Sequence, residues 1–228
     1  MTSPLPAAVS AGAATAALRP RLRGWLHAYA ALISVVTGAT LISVSAALRG
    51  AGPAAATSLY AATATLLFGT SALYHRREWR PRGHAVMKRL DHSMIFLFIA
   101  GTYTPIAAVT LPPRTRVVVL TVVWAGALVG VALQSAWPTA PRALSLVCYL
   151  ALGWVGAFVM PDLLHNGGVA TLVLIAIGGL TYTLGGIVYG LKRPDPWPGT
   201  FGFHEIFHAC TIVAAICQYV AIWLVIFR

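Results

Sequence analysis

The chain has 228 residues, of which 58% are hydrophobic and only 9% are Asp, Glu, Lys or Arg, with a formal net charge of +11. Soluble domains carry about 25% charged residues, so this composition excludes an ordinary soluble domain and indicates one integral membrane domain. The basic excess does not predict a nucleic-acid partner, because basic residues between apolar spans set topology and contact anionic lipid headgroups.

Long uncharged intervals divide the chain into predicted membrane spans. A bilayer core of roughly 30 Å needs about 20 apolar residues of helix, and seven intervals without Asp, Glu, Lys or Arg reach 19 residues or more. The sequence therefore predicts an all-α fold, a seven-transmembrane helix bundle formed by residues 24–228. The predicted spans are residues 27–48, 53–75, 91–111, 117–136, 143–161, 169–191 and 203–227.

Residues 1–23 precede the first span and are small, polar and proline-containing, with Arg19, Arg21 and Arg23 near their end. This composition predicts a mobile basic cytoplasmic tail. A cleaved signal peptide is not expected, because no basic stretch precedes an apolar core in this segment.

Lys and Arg counts on alternate connections predict the orientation. The tail and the connections after spans 2, 4 and 6 hold twelve of these residues, and the opposite face holds four, Arg49, Arg114, Arg116 and Arg228. The positive-inside rule then predicts a cytoplasmic N-terminus and an extracytoplasmic C-terminus.

Polar side chains gather at the predicted cytoplasmic ends of three spans. His75 ends span 2, Asp91 begins span 3, and His204 and His208 begin span 7. Residues four apart share one helix face, so His204 and His208 project together, and Ser71 lies one turn from His75. Ionisable groups inside a membrane are costly and mark functional sites, so we expect a site at this level.

Three histidines at one depth are typical of a metal site. Imidazoles at i and i+4 suit Zn²⁺, and a third from a facing helix leaves one tetrahedral position open, as in catalytic zinc sites. We therefore expect His75, His204 and His208 to bind zinc. Asp91 is the candidate base for a water at the open position, and Ser71 is expected to steady that water or an outer partner.

Other polar residues have simpler interpretations. His27, His84 and His165 are expected to be polar groups reaching the membrane interface. Asp91, considered alone, is also explained as a charge that the helix dipole favours in a first turn. His92 points about 100° away from Asp91 around the helix, so it is expected to have a structural or outer role.

The stretch HEIFH also matches HExxH, the zinc-protease pattern in which the glutamate is the general base. An intramembrane metalloprotease is therefore an alternative. It is disfavoured because such proteases take a further ligand from an Asp-Gly motif on a later helix, and the chain contains no Asp-Gly. Glu205 is instead expected to face cytoplasmic headgroups or a loop lysine.

Three stretches, SALYH (71–75), RLDHSMIFLFIAGTYTP (89–105) and FGFHEIFHACTIVAA (201–215), resemble the signature blocks of the hemolysin III proteins. These are the bacterial branch of the progestin and adipoQ receptor (PAQR) family, which includes the adiponectin receptors. The resemblance implies a seven-helix bundle with a cytoplasmic N-terminus. It also implies zinc on His75, His204 and His208, with Asp91 holding a water and Ser71 beside it.

The resemblance further implies a zinc-dependent hydrolase of an acyl-lipid with a ceramide-like amide bond, so that membrane lipid is both substrate and solvent. The alternatives are a hemolysin III-type pore and a non-catalytic, metal-binding receptor or sensor. A structural zinc normally has four protein ligands, which favours the hydrolase. The alanine- and arginine-rich composition suggests a bacterial plasma membrane, and the oligomeric state stays open.

Overall fold

Long helices joined by short connections follow one another along the chain. The computed structural model describes residues 20–137 and 139–228, and every regular element in these ranges is helical, which confirms the predicted all-α class. Residues 1–19, which hold most of the predicted tail including Arg19, lie outside the described residues. The long helices are α1 (Trp25–Arg49), α2 (Ala51–Arg76), α3 (Pro81–Thr110), α4 (Pro113–Ala136), α5 (Arg142–Gly153), α6 (Val169–Leu191) and α7 (Phe203–Phe227).

Membrane-compatible helices run through most of the described chain. Six segments of the described chain are long and apolar enough to cross a bilayer, so this is a multi-pass membrane protein. The six segments are Trp25–Arg49, Pro81–Thr110, Pro113–Ala136, Arg142–Gly167, Val169–Leu191 and Phe203–Phe227. The helix α2 is 26 residues long but is not among them, because Ala, Thr, Ser and Gly replace large aliphatic residues along much of its length.

The small residues of α2 allow it to pack closely between α1 and α3. A Cβ on Gly38 of α1 would lie 2.8 Å from Cβ of Ala61, and a Cβ on Gly101 of α3 would overlap Thr63. Small residues at helix interfaces let backbones approach and increase van der Waals contact. The sequence of α2 therefore suits a helix covered by its neighbours.

The helix α3 lies at the centre of the bundle and contacts α2, α4, α5 and α7. Phe96, Phe98 and Ala100 on this helix are buried. The helix α1 packs against α2 and α7. As a result α1 and α3 lie on either side of the place where the end of α2 approaches the start of α7.

The segment between α5 and α6 keeps a helical course with irregular geometry. It contains a 3₁₀ helix at Trp154–Val159 and a π-helical turn at Leu163–Gly167. The Tyr103 hydroxyl of α3 donates to the Gly153 carbonyl at 2.6 Å and accepts from the Gly156 amide at 2.6 Å. A side chain inserted into the hydrogen-bond ladder is a known cause of such a break. The observed helical segment continues past Asp162 to Gly167, whereas the predicted span ended at residue 161.

A short strap, Pro20–Gly24, leads into α1 and crosses the connection before α7. The Arg21 amide donates to the Gly199 carbonyl at 3.1 Å, and the Leu22 amide donates to the Thr200 carbonyl at 3.2 Å. Residues 20–23, predicted to belong to a mobile tail, are thus held by hydrogen bonds. Gly24 has φ of 78°, and a Cβ there would lie 2.9 Å from His75 Cβ, so only glycine lets α1 begin this close.

Candidate metal centre

Three histidines from two helices converge at one end of the bundle. His75 lies near the end of α2, and His204 and His208 lie in the first two turns of α7. One ligand nitrogen from each lies within 4.8 Å of the others, and the Nε2 atoms of His75 and His204 are 3.1 Å apart. Two ligands of one tetrahedral zinc, each about 2.0–2.1 Å from the ion, would be separated by roughly 3.3 Å. The spacing therefore fits a shared metal ion.

A carboxylate lies next to the histidine group. The Asp91 Oδ2 atom is 3.8 Å from Nε2 of His75 and 3.8 Å from Nδ1 of His92. Ser71 is buried one turn before His75 and interacts with the Asp91 carboxyl group. The structure thus brings together all five residues that the sequence analysis selected, and their roles stay predictions.

Asp91 does not lie in a first turn. The helix α3 begins at Pro81, so Asp91 is almost three turns inside it. The field of a helix dipole is felt within the first turn, so the explanation of Asp91 as a charge favoured by the dipole is wrong. His92 is not part of the histidine group, and its Nδ1 pairs with the Lys88 carbonyl at 2.8 Å. This contact agrees with the structural role expected for His92.

Glu205 is directed away from the histidine group, and our expectation that it faces headgroups or a loop lysine is wrong. Its side chain is 1% exposed, and its Oε1 pairs with Nε of Arg23 at 2.7 Å. Its Oε2 accepts a hydrogen bond from the Gly202 amide at 2.9 Å, which caps the start of α7. Both oxygens of Glu205 are therefore engaged in structure, and this speaks against the HExxH reading of the motif.

His27 of α1 is buried beside the histidine group, so our expectation that it reaches the membrane interface is also wrong. It is 3% exposed rather than interfacial, and its ring stacks on His208 with centroids 3.8 Å apart and an interplanar angle of 13°. A lone histidine in an apolar helix has no spacing signal that links it to a partner about 180 residues later. The other two histidines placed at the interface, His84 and His165, are exposed.

A cavity of about 630 Å³ connects the histidine group to the interior of the bundle. The histidines and Asp91 line one end, and its deeper wall includes Ile106, Leu111 and Leu163. Ligand pockets typically have volumes of about 300–1,000 Å³ and are mainly apolar with a few placed polar groups. The cavity has the size and lining of a site for a ligand with a hydrocarbon part.

A polar network that the sequence analysis did not identify lines the same cavity. The Gln134 amide donates to the Ser145 hydroxyl at 2.7 Å and to the Tyr149 hydroxyl at 3.3 Å. The Tyr149 hydroxyl in turn donates to the His92 carbonyl at 3.2 Å. The network links α4 and α5 to the part of α3 that carries Asp91. It therefore connects the backbone next to Asp91 to both of these helices.

Comparison with known proteins gives the family. A sequence-family model described as haemolysin-III related matches residues 15–219, a range that contains every residue of the candidate centre. The chain belongs to the haemolysin-III related family. A haemolysin-III relative, Hemolysin-3 of Bacillus cereus, is 28% identical over 163 residues, which are 72% of this chain and 74% of that protein.

Two further relatives extend the haemolysin-III comparison. The Hemolysin-3 homolog of Bacillus subtilis (strain 168) is 28% identical over 167 residues, 73% of this chain and 78% of that protein. The heptahelical transmembrane protein ADIPOR2 of Oryza sativa subsp. japonica is 32% identical over 158 residues, 62% of this chain and 68% of the relative. These similarities confirm the resemblance to the hemolysin III and PAQR proteins.

Proposed function

We propose that this protein is an integral membrane, zinc-dependent hydrolase that cleaves an acyl-lipid at a ceramide-like amide bond. One observation carries the proposal: three histidines able to share a metal ion lie beside a carboxylate at the end of a mostly apolar cavity. A centre that activates water and opens into an apolar chamber suits a substrate with a polar cleavable group and a hydrocarbon chain.

His75, His204 and His208 would hold the zinc ion, which when bound supplies a Lewis acid and lowers the pKa of a water molecule to about 7. Three protein ligands rather than four support a catalytic site over a structural one. The donor set fits, because all three donors are imidazoles, which suit zinc.

The chain's own residues supply the remaining steps. The Asp91 carboxylate, 3.8 Å from His75 Nε2, accepts the proton that the attacking water gives up and returns it to the amine nitrogen that leaves as the C–N bond breaks. Ser71 orients the Asp91 carboxyl group. The apolar wall formed by residues such as Ile106, Leu111 and Leu163 binds the acyl chain and keeps bulk water from the reacting bond.

The proposal includes a seven-span topology in the plasma membrane, with the N-terminus in the cytoplasm. The helix α2 is counted as a span because its 26 residues are long enough and its small residues are covered by neighbouring helices. The excess of Lys and Arg on one face supports the orientation, and the rice relative carries the name heptahelical. The metal centre would then lie near the cytoplasmic face.

An assay over a lipid panel tests the proposal. Purified wild type and Asp91→Ala are incubated with ceramides and with ester lipids of matched chain length, and released fatty acid and bound zinc are both measured by mass spectrometry. We expect wild type to release fatty acid from amide-linked lipids and Asp91→Ala to react about 10²–10⁴-fold more slowly with its zinc retained. Zinc in both proteins without cleavage of any lipid would reject the hydrolase.

The relative from Bacillus cereus is named Hemolysin-3, and this favours a membrane-lysing pore as the second candidate. A pore acts without breaking a covalent bond, so leakage of dye from vesicles should be the same for wild type and Asp91→Ala. If Asp91→Ala causes as much leakage as wild type and neither protein cleaves any lipid of the panel, the pore is supported. If neither leakage nor cleavage occurs and zinc is bound, a receptor or sensor is favoured.

A further inference from the structure

The ring orientation of His208 lacks the support that metal-binding histidines usually have. Such a histidine almost always donates its second ring N–H to a carboxylate, a backbone carbonyl or a water, which fixes the ring. The Nδ1 atom of His208 is buried and has no hydrogen-bond partner among the described residues. No hydrogen bond from the described residues therefore fixes the ring through Nδ1, and the orientation of His208 depends on its other contacts.

His27 supplies a contact of the right geometry. Its ring lies nearly parallel to that of His208, with an interplanar angle of 13° and centroids 3.8 Å apart. His27 also contacts α2: the ring of Phe68 meets the His27 ring edge-on, with centroids 5.2 Å apart. His27 is therefore held between α2 and α7 and is almost wholly buried.

A second contact places His27 in register with His208. Arg23 lies in the strap, four residues before His27, and its partner Glu205 lies one turn before His208 on α7. The ion pair joins the strap to the first turn of α7, and the stacked rings join the first turn of α1 to the second turn of α7. Together they prevent α1 and the start of α7 from sliding past one another.

His27 does not act as a fourth ligand. A metal bound to an imidazole lies close to the plane of that ring, and the His27 ring lies over the face of His208, about one ring thickness away. An ion in the plane of His208 would lie well outside the plane of His27. The ligand group accordingly contains His75, His204 and His208 and not His27.

We propose that His27 is a positioning residue, whose flat contact fixes the rotation of the His208 ring so that its metal-binding nitrogen faces His75 and His204. The proposal rests on the proposed metal-binding function. It assigns to α1, which has no ligand of its own in the histidine group, a direct effect on metal affinity.

Metal binding by full-length variants in detergent micelles tests this role. The variants are His27→Ala, His27→Leu, which fills the space without a flat ring, and His27→Phe, which keeps one. The control is His165→Ala, because His165 is an exposed histidine outside the histidine group. Zinc affinity is measured by competition with a chelator, and the visible spectrum of the Co²⁺-loaded protein reports ligand geometry.

We expect His27→Ala and His27→Leu to lose about 10–100-fold in zinc affinity, the range typical of outer partners of metal ligands, and to shift the Co²⁺ spectrum. His27→Phe should restore most of the affinity, and His165→Ala should match wild type. Melting temperatures without metal separate this effect from a general loss of stability.

If His27→Ala does not fold, the comparison of His27→Leu with His27→Phe decides the question. Wild-type affinity and spectrum in His27→Leu would overturn the positioning role while leaving the proposed function intact. Equal loss in the Phe and Leu variants would overturn it as well, because a flat ring would then not matter. A wild-type protein that binds no zinc would overturn both the positioning role and the proposed function.

Discussion

His204 and His208 share one face of α7, but different neighbours hold their rings. The His204 ring meets the His75 ring edge-on, with centroids 4.7 Å apart, and Tyr189 of α6 approaches it with centroids 5.6 Å apart. The His208 ring is instead stacked on His27. Each of these two candidate ligands therefore contacts a helix that contributes no histidine to the group, so α1 and α6 both affect the geometry of the candidate centre.

Removing a ligand should have a larger effect than removing one of these supports. We expect His208→Ala to lose zinc affinity by more than the roughly 10–100-fold typical of an outer partner, because only two nitrogen donors of the group remain. Zinc per protein, measured by mass spectrometry after purification, checks this, with His165→Ala as the matched control. Equal zinc in wild type and His208→Ala would eliminate the proposed centre.

The ion pair between Arg23 and Glu205 gives a stability prediction. Breaking a buried pair by removing one partner typically costs about 3–5 kcal/mol. Because Arg23 is partly exposed, we expect Arg23→Gln to lower the free energy of unfolding by about 3 kcal/mol or less. Arg21→Gln is the control, because Arg21 is exposed and surface substitutions usually change stability by about 0.5 kcal/mol or less.

Denaturant titration of the two variants in the same detergent measures the difference. A loss of stability in Arg23→Gln equal to that in Arg21→Gln would show that the strap Pro20–Gly24 is not held by Glu205. The result bears on the site because the strap leads directly into the turn that carries His27.

At the scale of helices, the insertion of Tyr103 into the segment after α5 explains its change of geometry. The hydroxyl satisfies the Gly153 carbonyl and the Gly156 amide, two groups that a regular ladder would pair within the helix. Gly153 and Gly156 both line the cavity next to Tyr103. The irregular segment is therefore part of the cavity wall.

We expect Tyr103→Phe to free the Gly156 amide and to destabilise the segment by about 1–2 kcal/mol, since a buried polar group would lose its partner. Hydrogen–deuterium exchange at residues 153–159, followed by mass spectrometry, should then become faster. Tyr29→Phe is the matched control, because Tyr29 is 59% exposed. Unchanged exchange in Tyr103→Phe would show that the irregular geometry does not depend on the hydroxyl.

Several features of these helices could be predicted from the sequence because they depend on local patterns. Charge-free intervals indicate helices of membrane length, and the four-residue spacing of His204 and His208 predicts their common face. The stack of His27 on His208 could not be predicted, because it depends on the register of α1 against α7. The same holds for Glu205, whose partner Arg23 lies near the other end of the chain, and for the insertion of Tyr103.

At the scale of the whole molecule, the topology decides which side of the membrane the candidate metal centre faces. If α2 crosses the membrane, the connections at Arg49 and Arg80 lie on opposite sides; if it does not, they lie on the same side. The seven-span proposal puts Arg49 and Arg114 outside the cytoplasm and Arg80 inside. The positions of three single residues therefore distinguish the arrangements.

Cysteine labelling in intact cells tests these positions. The native cysteines, Cys148, Cys210 and Cys217, are unpaired, and a background with all three replaced by serine carries one new cysteine at a time. We expect an impermeant maleimide to label Arg49→Cys and Arg114→Cys in intact cells, and Arg80→Cys only after permeabilisation. Equal labelling of Arg49→Cys and Arg80→Cys from one side would show that α2 does not cross the membrane. This matters for the site because α2 carries His75. The reverse pattern would place the centre at the outer face.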